Sequence, residues 1–272
     1  MYRARVLIAT VATVLALCGA RTAPHPVRYV ALGDSAAAAP GVPDLVDARC
    51  VRSNHNYPSL VAARLHAASF TDVTCSGATT SDLGGQFRAL SKRTTLVTVS
   101  IGANDVGVTG IVTKCTVLGL FHPDGAYCRA AYTRTGTDEL DERLHTTQPK
   151  VADALRTIHR LAPHARVLLV GYLRLTPLDH HGCRPRELFS DGDLAYLDDF
   201  EKKMNTMLSR TAQANGAVFV DNHPASAQHD ICRPTGTRWT EALIPSSPTV
   251  PFHPNALGEH AMAEQALAAA NR

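Results

Sequence analysis

Charge of one sign is what this sequence has least of. Its 27 basic and 24 acidic residues leave a formal net charge of only +3. No like-charge run forms a tail or a polybasic anchor. Tryptophan occurs once and aromatics make up 6% of the chain, so no base-stacking platform is available. Together these exclude a nucleic-acid partner, which needs a clustered basic face. No C-x-x-C pair occurs, which removes zinc ribbons and thioredoxin chemistry. His180-His181-x-Cys183 reads as a solvated loop rather than a metal cluster. There is no linker, low-complexity tract or internal repeat. After the first twenty residues, no apolar run is long enough to span a bilayer.

What is present is a globular composition, 45% hydrophobic and 19% charged over 272 residues. The start reads differently. Arg3 and Arg5 precede an apolar run from Val6 to Leu17, followed by the small residues Cys18-Gly19-Ala20. This is the pattern of a secretory signal peptide over 1–20, with cleavage near 20–23 and a single domain over 24–272. A helix of twelve residues rises about 18 Å, short of a roughly 30 Å hydrocarbon core. Acylation of Cys18 is disfavoured by the bulky Leu17. The expected location is therefore secreted or cell-envelope. Six cysteines remain in the mature chain: 50, 75, 115, 128, 183 and 232. An even set in an exported chain points to three disulfides, and spacing leaves their pairing open.

Short β-branched runs alternate with helical patterns. Strands are predicted at Val27–Leu32, Phe70–Cys75, Thr95–Ile101, Arg166–Gly171 and Ala217–Asp221. Helices are predicted at Tyr57–His66, Ser81–Leu90 (capped by Ser81), Glu139–Leu161 with a break allowed at Pro149, and Asp193–Asn215. Asn255 caps a last helix that runs to about Ala270. Long irregular stretches are expected at Asn104–Thr137, Thr176–Gly192 and Asn222–Phe252, ordered by disulfides. Alternation of this kind indicates a parallel five-stranded sheet with helices on both faces.

In such a sheet, chemistry collects at the carboxyl ends of the strands. The first three strands end in Gly33-Asp34-Ser35, Cys75-Ser76-Gly77 and Gly102-Ala103-Asn104-Asp105. These tips offer a hydroxyl, a flexible backbone N–H and a side-chain amide. That set suits acyl transfer: Ser35 attacks, and N–H groups of Ser35, Gly77 and Asn104 receive the oxyanion. The base should be one of thirteen histidines. His253 leads, because the following Pro254 keeps it out of a helix and Asn255 then starts one. His223, two residues after Asp221, competes; His229 and His122 are weaker. Asp34 and Asp105 read as structural, Asp221 as a loop cap. His180, His181, His223 and His229 otherwise read as surface or hydrogen-bonding groups.

Gly33-Asp34-Ser35, Gly77, Gly102-x-Asn104-Asp105 and His253-Pro254 resemble, in order, the four blocks of the SGNH hydrolases, or GDSL lipases and esterases. The resemblance runs from about residue 28 to 268. Cys75-Ser76-Gly77-Ala78-Thr79-Thr80 and Phe252-His253-Pro254-Asn255 are similar to the secreted actinobacterial branch. It implies a three-layer α/β/α, flavodoxin-like fold. It implies the pairs Cys50–Cys75, Cys115–Cys128 and Cys183–Cys232. It also implies Ser35 as nucleophile, His253 as base, and Ser35, Gly77 and Asn104 as the oxyanion hole, with no metal or cofactor.

Two departures stand out. Many members carry Asp three residues before the histidine, where this chain has Val250. The expectation is that the Val250 backbone carbonyl orients the imidazole instead, with Glu241 the less favoured substitute. Ala36 to Ala39 stand where relatives often carry polar residues and glycine. The implied function is an esterase or lipase acting on small-molecule or lipid esters, as a monomer with transient contact to lipid surfaces. The apolar stretch from Val106 to Phe121 serves either as an acyl-binding wall or as core. The alternatives are a carbohydrate acetyl esterase and a non-catalytic lipid- or carbohydrate-binding descendant of the fold.

Overall fold

The structure is a computed structural model and describes residues 26–271. The predicted signal segment, with Cys18 and the cleavage region, lies outside the described residues. Five parallel strands form the main sheet: β1 (Arg28–Gly33), β4 (Ser69–Asp72), β5 (Leu96–Ser100), β6 (Arg166–Val170) and β7 (Val218–Val220). Their order is β4-β1-β5-β6-β7. A short antiparallel pair, β2 (Leu45–Asp47) and β3 (Arg52–Ser53), lies apart from it. The order reverses direction between β1 and β5, and a crevice opens at the carboxyl ends there.

Side chains alternate across the sheet, as a period of two requires. Val30, Leu32, Val97, Val99, Val167 and Leu169 enter one core. Tyr29, Ala31, Leu96, Leu168 and Val170 enter the other. Helices α7 (Glu139–Leu161) and α8 (Asp191–Ala214) cover the first face, and α2 (Tyr57–Arg64) and α10 (Ala256–Ala270) the second. This is the three-layer fold expected. Helix α2 carries Pro58 in its first turn and is capped by Asn56. Asn255 caps α10 by accepting from the Leu257 and Gly258 N–H groups. Helix α7 runs unbroken through Pro149. The three cysteine pairs form as the resemblance implied.

Other boundaries differ. The second strand of the sheet stops at Asp72, not Cys75. The helix expected over Ser81–Leu90 shrinks to α3 (Leu83–Gln86) and a 3-10 turn at Phe87–Ala89. Asp82, not Ser81, stands at its start, and the Gly84-Gly85 pair disfavours a longer helix. The stretch expected to be irregular over Asn104–Thr137 holds three helices: α4 (Ala103–Val106), α5 (Val108–Phe121) and α6 (Tyr127–Thr133). Glycine and β-branched residues hide α5 from propensity reasoning, but burial of Ile111, Val112 and Cys115 overrides it. The buried carboxylate of Asp193, on α8, accepts from the Cys128 and Arg129 N–H groups and anchors α6 from a distance. Two single-turn helices complete the chain: α1 (Ser35–Ala38) after β1 and α9 (Asn222–Ala225) after β7.

Candidate active site

The turn after β1 places Ser35. Gly33 has φ +139°, and a Cβ there would run into the Ser100 backbone of β5, so only glycine fits. Asp34, buried, donates its N–H to the Ser100 carbonyl (2.9 Å) and caps α1 through Oδ1 on the Ala36 N–H (3.0 Å). Ser35 then opens α1 facing the crevice. Burial pushes the Asp34 carboxyl up to about 7, against the hydrogen bonds it accepts from Tyr172 and Ala36.

His253 comes from the loop before α10. Its Nε2 lies 2.7 Å from Ser35 Oγ. Its Nδ1 lies 2.8 Å from the carbonyl oxygen of Pro251. A carbonyl can only accept, so Nδ1 carries the proton and Nε2 offers its lone pair to the serine hydroxyl. Pro251 therefore replaces Val250 as the orienting carbonyl. The reason is Phe252, whose φ of +60° reverses the chain and turns the carbonyl two residues back onto the imidazole. The Val250 N–H donates to the Pro40 carbonyl (3.2 Å), and among the described residues only the Pro251 carbonyl bonds Nδ1. The left-handed Phe252 is held by its N–H on the Glu241 carbonyl (3.1 Å) and by stacking on Phe189. Burial holds the His253 imidazole below its ordinary range, opposed by the Pro251 hydrogen bond.

Glu241 does not reach the imidazole. Its carboxylate is buried and takes Arg238 Nε (2.8 Å), the Ser246 N–H (2.9 Å) and Asn255 Nδ2 (2.9 Å). Burial alone would raise its pKa, but these donors, Arg238 first, hold it at about 2. The pair braces the loop that carries His253. Asn255 Nδ2 also donates to the Arg238 carbonyl, which ties that loop to the start of α10.

The remaining donors sit on the neighbouring turns. Gly77 has φ +83°, and open space stands where a Cβ would be. Asn104, the second residue of α4, spends one amide hydrogen on the Ala78 carbonyl (2.9 Å). That bond ties Asn104 to the Gly77 turn and leaves its second N–H for a ligand. The N–H groups of Ser35 and Gly77 have no hydrogen-bond partner among the described residues. Asp105 holds the Thr80 N–H (2.9 Å) and hydroxyl (2.6 Å), a structural part as expected. Asp221 caps α9 through the His223 N–H.

Three further histidines are engaged away from Ser35. His223 is buried with Nε2 3.6 Å from Glu201, His180 meets Asp198 at 3.0 Å, and His229 stacks on Trp239. Asp198, Glu201 and His223 converge closely enough to suggest a metal. Arg174 and Lys202 already neutralise Asp198, and the Leu175 and Thr176 N–H groups bond Glu201, so these donors fit cations of the chain itself. Cys183 and Cys232, beside Glu187, are joined to each other.

A cavity of about 340 Å³ opens beside Ser35 and His253. Val108 and Val112 of α5, and Leu197, Phe200 and Met204 of α8, give it an apolar wall. The apolar stretch over 106–121 thus divides. Ile111 and Val112 serve both cavity and core, while Val117, Leu120 and Phe121 are exposed. Tyr172, in the turn after β6, and the α8 residues were missed by sequence reasoning. The residue just beyond the fourth predicted strand was the signal for Tyr172.

The sequence profile of the GDSL-like lipase/acylhydrolase family matches residues 31–261. The chain belongs to that family. Lipase 2 of Streptomyces coelicolor is 37% identical over 97% of this chain and 96% of its own length. A lipase of Streptomyces rimosus is 31% identical over 90% of this chain and 89% of its own. Among solved structures, the extracellular lipase of Streptomyces rimosus superposes with a TM-score of 0.75 at 26% identity, covering 90% of this chain and 98% of that one. Phospholipase A1 of Streptomyces albidoflavus gives 0.73 at 26% identity over the same shares. This GDSL-family chain is thus an SGNH hydrolase of the actinobacterial lipase branch and an ester-hydrolysing enzyme. The non-catalytic reading falls away.

Proposed function

We propose that this enzyme is an exported serine esterase or lipase that forms an acyl-enzyme on Ser35. The observation that carries the proposal is the 2.7 Å contact of Ser35 Oγ with an imidazole whose Nδ1 is already committed to Pro251. His253 Nε2 takes the hydroxyl proton as Oγ bonds to the ester carbonyl carbon. The oxyanion accepts from the Ser35 and Gly77 N–H groups and Asn104 Nδ2. Collapse breaks the bond to the alcohol oxygen, which leaves with the proton from Nε2. Water then repeats the sequence on the acyl-enzyme and releases the carboxylic acid. Every step uses groups of this chain, water and the ester, so no cofactor or metal is required.

The apolar cavity favours an acyl chain over acetyl on a sugar, because an acetyl group would leave that wall unfilled. Lipid-like esters are the proposed substrates. Exposed Val117, Leu120 and Phe121 on α5 supply a transient contact with a lipid surface for a monomeric enzyme. Residues 1–20 act as the export signal. The three disulfides fit an oxidising destination, each stabilising by about 2–4 kcal/mol.

The test is a fluorophosphonate probe on the oxidised mature protein, with the adduct mapped by peptide mass spectrometry. A single adduct on Ser35, lost in Ser35→Ala and His253→Ala, is expected. A folded protein that takes up no probe removes the mechanism. A chain-length series of nitrophenyl esters then separates an acyl-chain preference from an acetyl preference.

A further inference from the structure

Three hydrogen bonds join the turn that carries Ser35 to the turn that carries Asn104. The Ala103 N–H donates to the Tyr172 hydroxyl (3.1 Å). That hydroxyl donates to Asp34 Oδ2 (2.6 Å). Asp34 Oδ1 accepts from the Ala36 N–H (3.0 Å). Ala103 directly precedes Asn104, and Asp34 and Ala36 flank Ser35. Tyr172 comes from a third strand, just beyond β6, and its ring lines the cavity. Its own N–H donates to Asn205 Oδ1 (3.0 Å), so its backbone is pinned to α8.

We propose that Tyr172 is a positioning residue that holds the Ser35 turn and the Asn104 turn in one register. The proposal rests on the serine-hydrolase reading above. Both turns are weak alone, since α1 and α4 are four residues each. A helix of one turn does not sustain itself, so outside contacts must set its orientation. One hydroxyl that accepts from one turn and donates to the other couples the two. An error in either would spoil the joint alignment of nucleophile and oxyanion donor, to which rate is steeply sensitive.

The direction of the chain depends on the Asp34 charge. As a carboxylate, Asp34 accepts at both oxygens. Once protonated at Oδ2 it donates to Tyr172, whose own proton then loses its acceptor. Burial raises the Asp34 carboxyl to about 7, so this rearrangement falls within an ordinary assay range. Burial also pushes the Tyr172 phenol well up, so it keeps its proton throughout. The titratable groups facing Asp34 are Tyr172, from beyond β6, and Asp105, from α4. Asp105 is itself paired with Thr80 and, at 3.9 Å, with Lys150.

The test compares wild type, Tyr172→Phe and Asp34→Asn on a soluble nitrophenyl ester, with kcat and KM measured across pH. Tyr172→Phe keeps the ring and removes only the hydroxyl. The expected result is a kcat lower by about tenfold or more with KM within about threefold. The acid limb of wild type should hold an upper ionisation near 7 that moves upward in Tyr172→Phe and is missing in Asp34→Asn. A Tyr172→Phe enzyme with kcat within about twofold of wild type and a superimposable pH profile overturns the proposal. If Tyr172→Phe does not fold, Asp34→Asn decides: unchanged kcat and profile overturn it, and loss of the upper ionisation with lower kcat supports it. Failure of wild type to label on Ser35 is a separate result, which removes the serine-hydrolase reading and this proposal with it.

Discussion

The Nδ1 of His253 faces the carbonyl oxygen of Pro251, only two residues back in the same chain. The imidazole is thus oriented by a neutral dipole where a carboxylate serves many relatives. A carbonyl fixes the tautomer as well as a carboxylate does. It offers less charge to the imidazolium that forms during attack. Val250→Asp would add a charge without the geometry, because the Phe252 turn presents residue 251 to the ring. Its kcat is expected to stay within a few-fold of wild type, and a rise of about a hundredfold would show that the Pro251 contact is dispensable.

Burial lowers the His253 pKa below its ordinary 6.5. The neutral imidazole therefore survives to lower pH in the fold than in a free chain. In Asp34→Asn, where the carboxyl titrating near 7 is gone, the acid limb of kcat/KM should lie below 6.5. An acid limb above 6.5 in that variant would contradict the assignment of His253 as base.

Asn104→Ala removes a side-chain donor and leaves the apolar wall of Val108, Val112, Leu197, Phe200 and Met204 in place. It should lower kcat by about 10²–10³ with little change in KM. Equal loss in KM and none in kcat would place Asn104 in substrate binding instead. Loss of the bond to Ala78 also loosens the Gly77 turn. The Asn104→Asp variant, which cannot donate, should be as slow.

Arg238 and Glu241 are both fully buried, and their ion pair supports the loop that delivers His253. Glu241→Gln keeps the shape and strands the guanidinium. A cost of about 3–5 kcal/mol is expected in denaturant unfolding. The folded Glu241 is held at about 2, below its ordinary 4.5. Its contribution is complete above pH 4.5 and is lost as pH falls through about 2. Wild type should therefore lose stability across that window more steeply than Glu241→Gln does.

Phe200 and Leu197 project from α8 into the wall of the cavity. Phe200→Ala enlarges it and should move the preferred nitrophenyl ester toward longer acyl chains. An unchanged chain-length profile would mean that the acyl chain lies elsewhere.

Local pattern alone determined much of this protein. The apolar runs at β1, β5 and β6 mark strands buried on both faces, and the residues after β1 and β5 are where the sheet must expose its chemistry. Asn255 announces α10 because a cap acts on its own next residues. Ser35, Asn104 and His253 are candidates for the same reason: each lies at or within two residues of an element boundary or its cap, whereas Gly77 stands five residues beyond the end of β4 and is singled out from a longer predicted strand. Tertiary structure decided the rest. Helix α6 is anchored by Asp193, some 64 residues away, which no window around it contains. The choice of Pro251 over Val250 depends on one left-handed residue, stabilised from Glu241 and Phe189. The link from Tyr172 to Asp34 spans 138 residues. Propensity and capping act over a few residues. Burial, cross-strand ties and the orientation of a catalytic ring are set by groups that only the folded chain brings together.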